Sequence, residues 1–507
     1  MKTYRYVLLL AAATLAAATG CQSDNQEKAG PDEPFPITLL TANFSSNPAS
    51  KDSKVWKMVE EYTHTNLNII WAPNASYNDK MNISLASGTL PMVIKVENTH
   101  VPSVAGAIQK GQIWEIGPYL SRFPNLSQAD PEILGNISNE GKVYGIYRAR
   151  KQGRPGISYR KDWLDKLSLS EPKTIDEFYA VLKAFTEKDP DGNGIDDTYG
   201  LAVSKYPLPW EMMQVWFGAP NKWGIDEHDK LIPEHFTPEY RNSLKFFRKI
   251  YAEGLVNSDF PIYDSTRWND QVVSGRAGVM LDVADTAGRL ETKLKQANPH
   301  AVIDVFGAVE GPHGLRSLST SGYNGVYLIS KSGVKTEQEL LKVLGFLDKL
   351  NDEPMQRLLY YGLENIHYTM HNGAMESLPN DTVPPEYNAN DLEQLLPLIP
   401  ELTKFKAVSP LREKVNTVIE NNERIIITNP AEGLESPTYT QKGNMLDDMI
   451  SEARIQYITG KIDDPEFDRL LEAWRISGGD KVIQEINDAY RVRKNALKQS
   501  EEPVVNK

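Results

Sequence analysis

The run Asp189-Pro190-Asp191-Gly192-Asn193-Gly194-Ile195-Asp196-Asp197 sets oxygen-bearing side chains at alternate positions, with a glycine sixth in line. A short loop that wraps a hard cation needs this pattern, because many oxygens must converge and the chain must turn where only glycine is unstrained. The spacing is that of a calcium loop; a metal-free Asp/Asn/Gly turn is the alternative reading. Other reactive chemistry is sparse. No nucleophile elbow, HExxH, P-loop or complete Cys/His constellation occurs. The 68 acidic residues guarantee neighbouring carboxylates without implying a catalytic pair.

The elements around the loop follow from hydrophobic period. Thr174 and Glu177 form a capping box, and Phe178, Val181, Leu182 and Phe185 recur at helical spacing, so an amphipathic helix feeds the loop. Upstream, Ile37-Thr38-Leu39-Leu40, residues 67–71 and Met92-Val93-Ile94-Lys95-Val96 read as strands with helices between them, which predicts a parallel sheet covered on both faces. A Gly/Pro-containing break at residues 151–155 is the expected crossing between two lobes. Thr237, Pro238 and the face Tyr240, Leu244, Phe247 and Tyr251 predict a further helix. Beyond Thr336 the chain reads as mostly helical, and Trp163 and Trp474 are assigned to core.

Composition narrows the class. A chain of 507 residues with 40% hydrophobic content supports at least two cores. Residues 1–20 have a basic start, an apolar run and small residues leading to Cys21, the only cysteine, which is the pattern of a signal peptide. Residues 21–36 form a polar tether. The net charge of −13, or −15 without Lys2 and Arg5, argues against nucleic acid as a partner.

Several separated stretches resemble one family, the extracellular solute-binding lipoproteins of ATP-driven (ABC) sugar importers, especially long members similar to alginate-oligosaccharide-binding proteins. Ala18-Thr19-Gly20-Cys21 resembles a lipobox. Leu85-Ala86-Ser87-Gly88-Thr89-Leu90-Pro91, residues 141–146, residues 159–167, the calcium loop, residues 362–368 and residues 460–490 carry the similarity almost to the C-terminus. The resemblance implies an α/β, two-lobe periplasmic-binding-protein-like (type II) fold with a hinge, an interlobe cleft and a helical C-terminal part. Lobe 1 is expected at 37–150 plus about 305–370 and lobe 2 at 151–300 plus about 375–500.

It further implies a monomer, lipid-anchored through Cys21 to the outer face of a bacterial cytoplasmic membrane. This monomer would close over an oligosaccharide and dock on permease subunits. One structural Ca2+ is implied, with ligands carried over as Asp189, Asp191, Asn193, the Ile195 carbonyl and Asp197, and with Thr198 near the late position. An EF-hand has glutamate at its twelfth position, where this chain has Gly200.

Sugar rings present apolar faces and hydroxyl edges, so a cleft needs aromatic platforms beside amide, carboxylate or guanidinium groups. Trp268, set among polar residues and similar in position to a stacking tryptophan of the family, is the first candidate platform. Trp210 and Trp223 follow; core packing is the competing reading for all three. Tyr323 and Asn324 precede a strand, where sheet-end loops gather ligands. Arg316 suits a uronate carboxylate or a hydroxyl pair. Asn43 and His367 complete the set, against a turn asparagine and a satisfied buried histidine. The alternative function is a lipid-anchored polysaccharide-degrading enzyme, either a glycoside hydrolase or a lyase.

Overall fold

The computed structural model describes residues 33–263, 267–379, 382–398, 406–407 and 409–501. Cys21, the expected signal peptide, most of the tether and 264–266 lie outside the described residues.

Two sheets organise the chain. The first has the order Thr65–Pro73, Phe35–Asn43, Val93–Val96, Tyr323–Ile329, Gly145–Ala149. Helix Lys54–Thr63, capped by Ser53, makes the crossover between the first two strands, which pair in parallel over nine residues. Phe35–Asn43 also runs parallel to Val93–Val96, but Tyr323–Ile329 is antiparallel to both of its neighbours. The sheet is therefore mixed and not wholly parallel as its pattern suggested. The antiparallel strand enters from the other lobe, so its direction is set by the hinge and not by a local crossover. Ile37, Val93, Ile94, Val326, Leu328 and helix Glu337–Lys349 make the first core, and the helix starts at a Thr336/Glu339 capping box.

The second sheet has the order Ile303–Phe306, Pro155–Arg160, Ala277–Val283, Tyr199–Ala202. Its core holds Phe178, Phe185, Trp216, Tyr240 and Phe247. The C-terminal helices Pro437–Ile458 and Asp464–Trp474 pack here through Tyr457, Ile458, Phe467 and Leu471. Trp163 and Trp474 are both buried.

Two lobe boundaries differ from the expected ones. Residues 303–318 belong to the second body, since Ile303–Phe306 pairs with Pro155–Arg160 and Val309 and Leu318 join its core. Leu392, Leu395, Leu396 and Leu398 lie in the first core, beyond the expected limit near residue 370. Neither short segment has a period that reveals its sheet, because partner choice is a long-range matter.

The chain crosses between the bodies at residues 150–154, again at 319–322 and again after Leu398. Amide side chains tie the crossings together. Asn422 donates to the Gly153 and Pro155 carbonyls at 3.0 and 2.7 Å, and Asn221 donates to Ser319 and Ile427 carbonyls at 3.2 and 3.0 Å.

Candidate ligand-binding cleft

Where these crossings meet both sheets they leave a cavity of about 240 Å³. Glu132 and Asn136 face it from the first body, Gln152 and residues 319–321 from the crossings, and Tyr206, Glu211, Asn221, Lys222 and Glu432 from the second body. Tyr206 is 45% exposed and meets Trp268 edge-on at 6.2 Å, so one ring is free for a ligand while the other braces it.

The wall of the second body is electrostatically tight. Glu234 accepts from Gln214 Nε2 at 2.6 Å and from the Lys222 backbone at 2.8 Å. Burial, and then the charge of Glu211, push its carboxyl up to about 7. Desolvation lowers the Lys222 ammonium, but Glu211, Glu432 and Glu234 outweigh it and the net shift is upward. Lys222 is exposed as a residue, and the surrounding carboxylates hold its ammonium charged against the desolvation.

The candidate sugar platforms are placed differently from expectation. Trp210, 2% exposed, packs at 4.9 Å from Phe247 and 5.2 Å from Phe260, inside the second core. Every residue from Pro209 to Trp216 but Glu211 is buried on that helix, so Glu211, one step of about 100° on, takes the cleft face and Trp210 does not. Trp268, 4% exposed, donates from Nε1 to the Ala202 carbonyl at 3.1 Å and acts as a brace and not as an open platform. Trp223 and Arg316 share a separate surface groove, and Arg316 Nε is taken by the Val215 carbonyl at 3.1 Å.

Asn43 makes the turn contact, donating to the Ser45 carbonyl at 2.7 Å. His367 accepts at Nδ1 from the Leu363 backbone and lies 3.0 Å from the Tyr387 carbonyl, which leaves it no free ring nitrogen. Tyr323 and Asn324 do lie toward the crossings. Glu432 and Glu97 act on Tyr323, although burial is the main cause of its upward shift. The Asn324 amide lies against Arg150 and can accept from it with its oxygen turned toward the guanidinium.

Sequence reasoning pointed to segments 207–223 and 319–325, parts of which line this cavity, but it passed over Tyr206, Glu211, Lys222, Gln152, Glu432 and Arg150. The one available signal was Arg148-Ala149-Arg150-Lys151, a basic run at the expected crossing of an acidic protein.

The loop at 189–197 closes on itself. Asp189 accepts from the backbone of Gly192, Asn193 and Gly194, and Gly192 and Gly194 take φ of 78° and 77°. Asn193 Nδ2 sits between Asp191 Oδ2 at 2.8 Å and Asp197 Oδ1 at 3.3 Å. The neighbouring Asp191 carboxyl, and then the backbone N–H groups of Gly194, Gly192 and Asn193, hold Asp189 low, while burial and then Asp189 raise Asp191. Hard oxygens thus converge on one polar group, which is chemistry that suits calcium. Among the described residues, though, no three acidic, histidine or cysteine side chains stand in ready-made metal geometry. Thr198 is turned away, buried and donating to the Phe185 carbonyl at 2.8 Å. Gly200 explains the missing glutamate, since a Cβ there would stand 2.6 Å from Leu182 Cα.

Comparison with known proteins agrees with this architecture. The chain is 41% identical over 496 residues to the lipoprotein LipO of Bacillus subtilis (strain 168), covering 96% of this chain and 98% of that one. It is 34% identical over 499 residues, at 96% and 98% coverage, to YtcQ of the same organism, a polygalacturonan/rhamnogalacturonan-binding protein. Among solved structures, the S. pneumoniae ABC-transporter substrate-binding protein FusA in complex with kestose superposes with a TM-score of 0.66 at 17% identity, over 91% of this chain and all of that one. The profile of the bacterial extracellular solute-binding proteins matches residues 45–356, and the chain belongs to that family.

Proposed function

We propose that this protein captures an oligosaccharide between its two bodies and passes it to the permease of an ATP-driven importer, without chemical change. The observation that carries this reading is the cavity at the crossings, lined from both sheets by amide, hydroxyl and carboxylate groups beside the free face of Tyr206. Such groups exchange paired hydrogen bonds with sugar hydroxyls, and a ring between two bodies is buried only when they close. The near full-length similarity to a polygalacturonan/rhamnogalacturonan-binding protein supports a plant-derived oligosaccharide.

The protein acts as a monomer at the outer face of the cytoplasmic membrane, anchored by lipid on Cys21. Among the described residues no helix is long and apolar enough to cross a membrane. Calcium, drawn in by Asp189, Asp191, Asn193, the Ile195 carbonyl and Asp197, has a structural role in the second body. It supplies charge neutralisation there, away from the cleft.

Calorimetric titration with pectin-derived oligosaccharides, followed by chromatography of the mixture, tests the reading. Saturable binding with intact ligand is expected. Turnover of the ligand would instead establish the degrading-enzyme alternative.

A further inference from the structure

The cleft end of the first sheet carries three basic side chains that the cavity above does not use. Lys95 is paired opposite Tyr327, and Tyr327 opposite Ile146. Side chains alternate along a strand, so Arg148, and Arg150 beyond it, share that face. Lys95 Nζ donates to Gln394 Oε1 at 3.0 Å, and Arg148 reaches only the Glu393 carbonyl, at 3.4 Å. Arg148 is 6% exposed, yet its Nε has no partner.

Among the described residues none of the three has a carboxylate at ion-pair distance, whereas neighbouring Arg154 is closed off by Asp285. Burial, and then the charges of Arg148 and Arg150, bring Lys95 down to about 7; burial, Arg154 and Arg148 bring Arg150 to about 10. Buried charge without a counter-ion, and a buried donor without an acceptor, are both costly. Only Arg150 of the three is exposed, and the Asn324 amide lies against it; turned with its oxygen toward the guanidinium, the only orientation that satisfies both groups, that amide accepts from Arg150 Nε and Nη2 at 3.2 and 2.5 Å.

We propose that Arg150, aligned by Asn324 and backed by Lys95 and Arg148, receives the carboxylate of a uronic-acid residue at one end of the bound oligosaccharide. This rests on the carbohydrate-capture reading. A planar guanidinium fork pairs with a carboxylate in a way no neutral hydroxyl matches. The acid group is confined to that end. Two residues along the same crossing, Gln152 lines a cavity whose carboxylates, Glu132, Glu211 and Glu432, outnumber its one ammonium, Lys222, so the wall as a whole disfavours further carboxylates. The preferred ligand therefore carries one acid residue followed by neutral sugar, and it is not a uniform polyanion.

The test is calorimetric titration of the full chain with galacturonosyl-rhamnose, its carboxyl-reduced counterpart and trigalacturonate. The acid disaccharide binds about tenfold or more tighter than the reduced one, and trigalacturonate binds no tighter than the disaccharide. Arg150→Gln brings the acid form to the affinity of the reduced form at unchanged melting temperature, and Arg150→Lys retains part of the preference. Equal affinity for the acid and reduced forms overturns the inference and leaves carbohydrate capture standing, as does an undiminished preference in Arg150→Gln. Binding of neither these nor any neutral oligosaccharide overturns both.

Discussion

Trp210 and Tyr206 are four residues apart, yet one is a core residue and the other a cleft residue, and substitutions separate the roles. Trp210→Ala removes a ring packed between Phe247 and Phe260 and is expected to cost about 3–5 kcal/mol in urea unfolding. Oligosaccharide affinity of the folded fraction should stay the same. Tyr206→Ala is expected to leave stability within about 1 kcal/mol and to weaken binding about tenfold in calorimetry, since its ring is half in solvent. Equal effects of both variants on affinity would place Trp210 back in the site. Glu234 adds a pH dependence. Its folded-state value of about 7 stands above its ordinary 4.5, so between these the native state binds the proton more tightly and stability falls as pH rises. Glu234→Gln removes that titration. The gap between variant and wild type in urea midpoint should widen in the variant's favour from about pH 5 to about pH 8.

At the scale of the element, the loop at 189–197 shows how a motif can be recognised while its surroundings decide the details. Thr174 caps the preceding helix by accepting from the Glu177 backbone at 3.2 Å, and that helix buries Phe178, Val181, Leu182 and Phe185. The loop therefore hangs from a fixed support. Gly200 lies on a strand pressed against Leu182, so the place of an EF-hand's last ligand is filled by packing. Calcium at about a hundred times its dissociation constant is expected to stabilise the protein by about 2.7 kcal/mol, read as a rise in melting temperature that a chelator reverses. Asp191→Ala should abolish that rise. Without calcium the same change should be neutral or mildly stabilising, because burial and Asp189 already disfavour the Asp191 charge.

Across the whole molecule the crossings act as the hinge and a set of side chains joins the bodies. His100 of the first body lies 3.4 Å from Glu435, and a Cβ on Gly433 would stand 2.5 Å from the Asn136 carbonyl. Desolvation lowers the His100 imidazolium while Glu435 and the Asn136 carbonyl raise it by more, so this bridge favours closure below the raised value and is lost above it. Ligand binding should reduce the radius of gyration in small-angle scattering. Identical curves with and without a confirmed ligand would mean that no closure occurs. Glu435→Gln should weaken ligand binding more at about pH 6 than at about pH 8, since only the charged imidazole gains from Glu435.

Local periodicity determined a good deal by itself. The helix before the loop at 189–197, the paired strands Phe35–Asn43 and Thr65–Pro73 and the helical C-terminus are written in the spacing of apolar residues, which a single segment satisfies on its own. The order of motifs along the chain likewise carried the family. What only the tertiary structure decided is which side of an element faces the cleft. Trp210 and Glu211 are adjacent in sequence and point to opposite environments, and Arg148 and Arg150 acquire meaning only when Lys95, from a strand about fifty residues away, is brought onto their face. A binding site between two bodies is assembled by long-range pairing and hinge geometry, and neither leaves a periodic trace in the residues that form it.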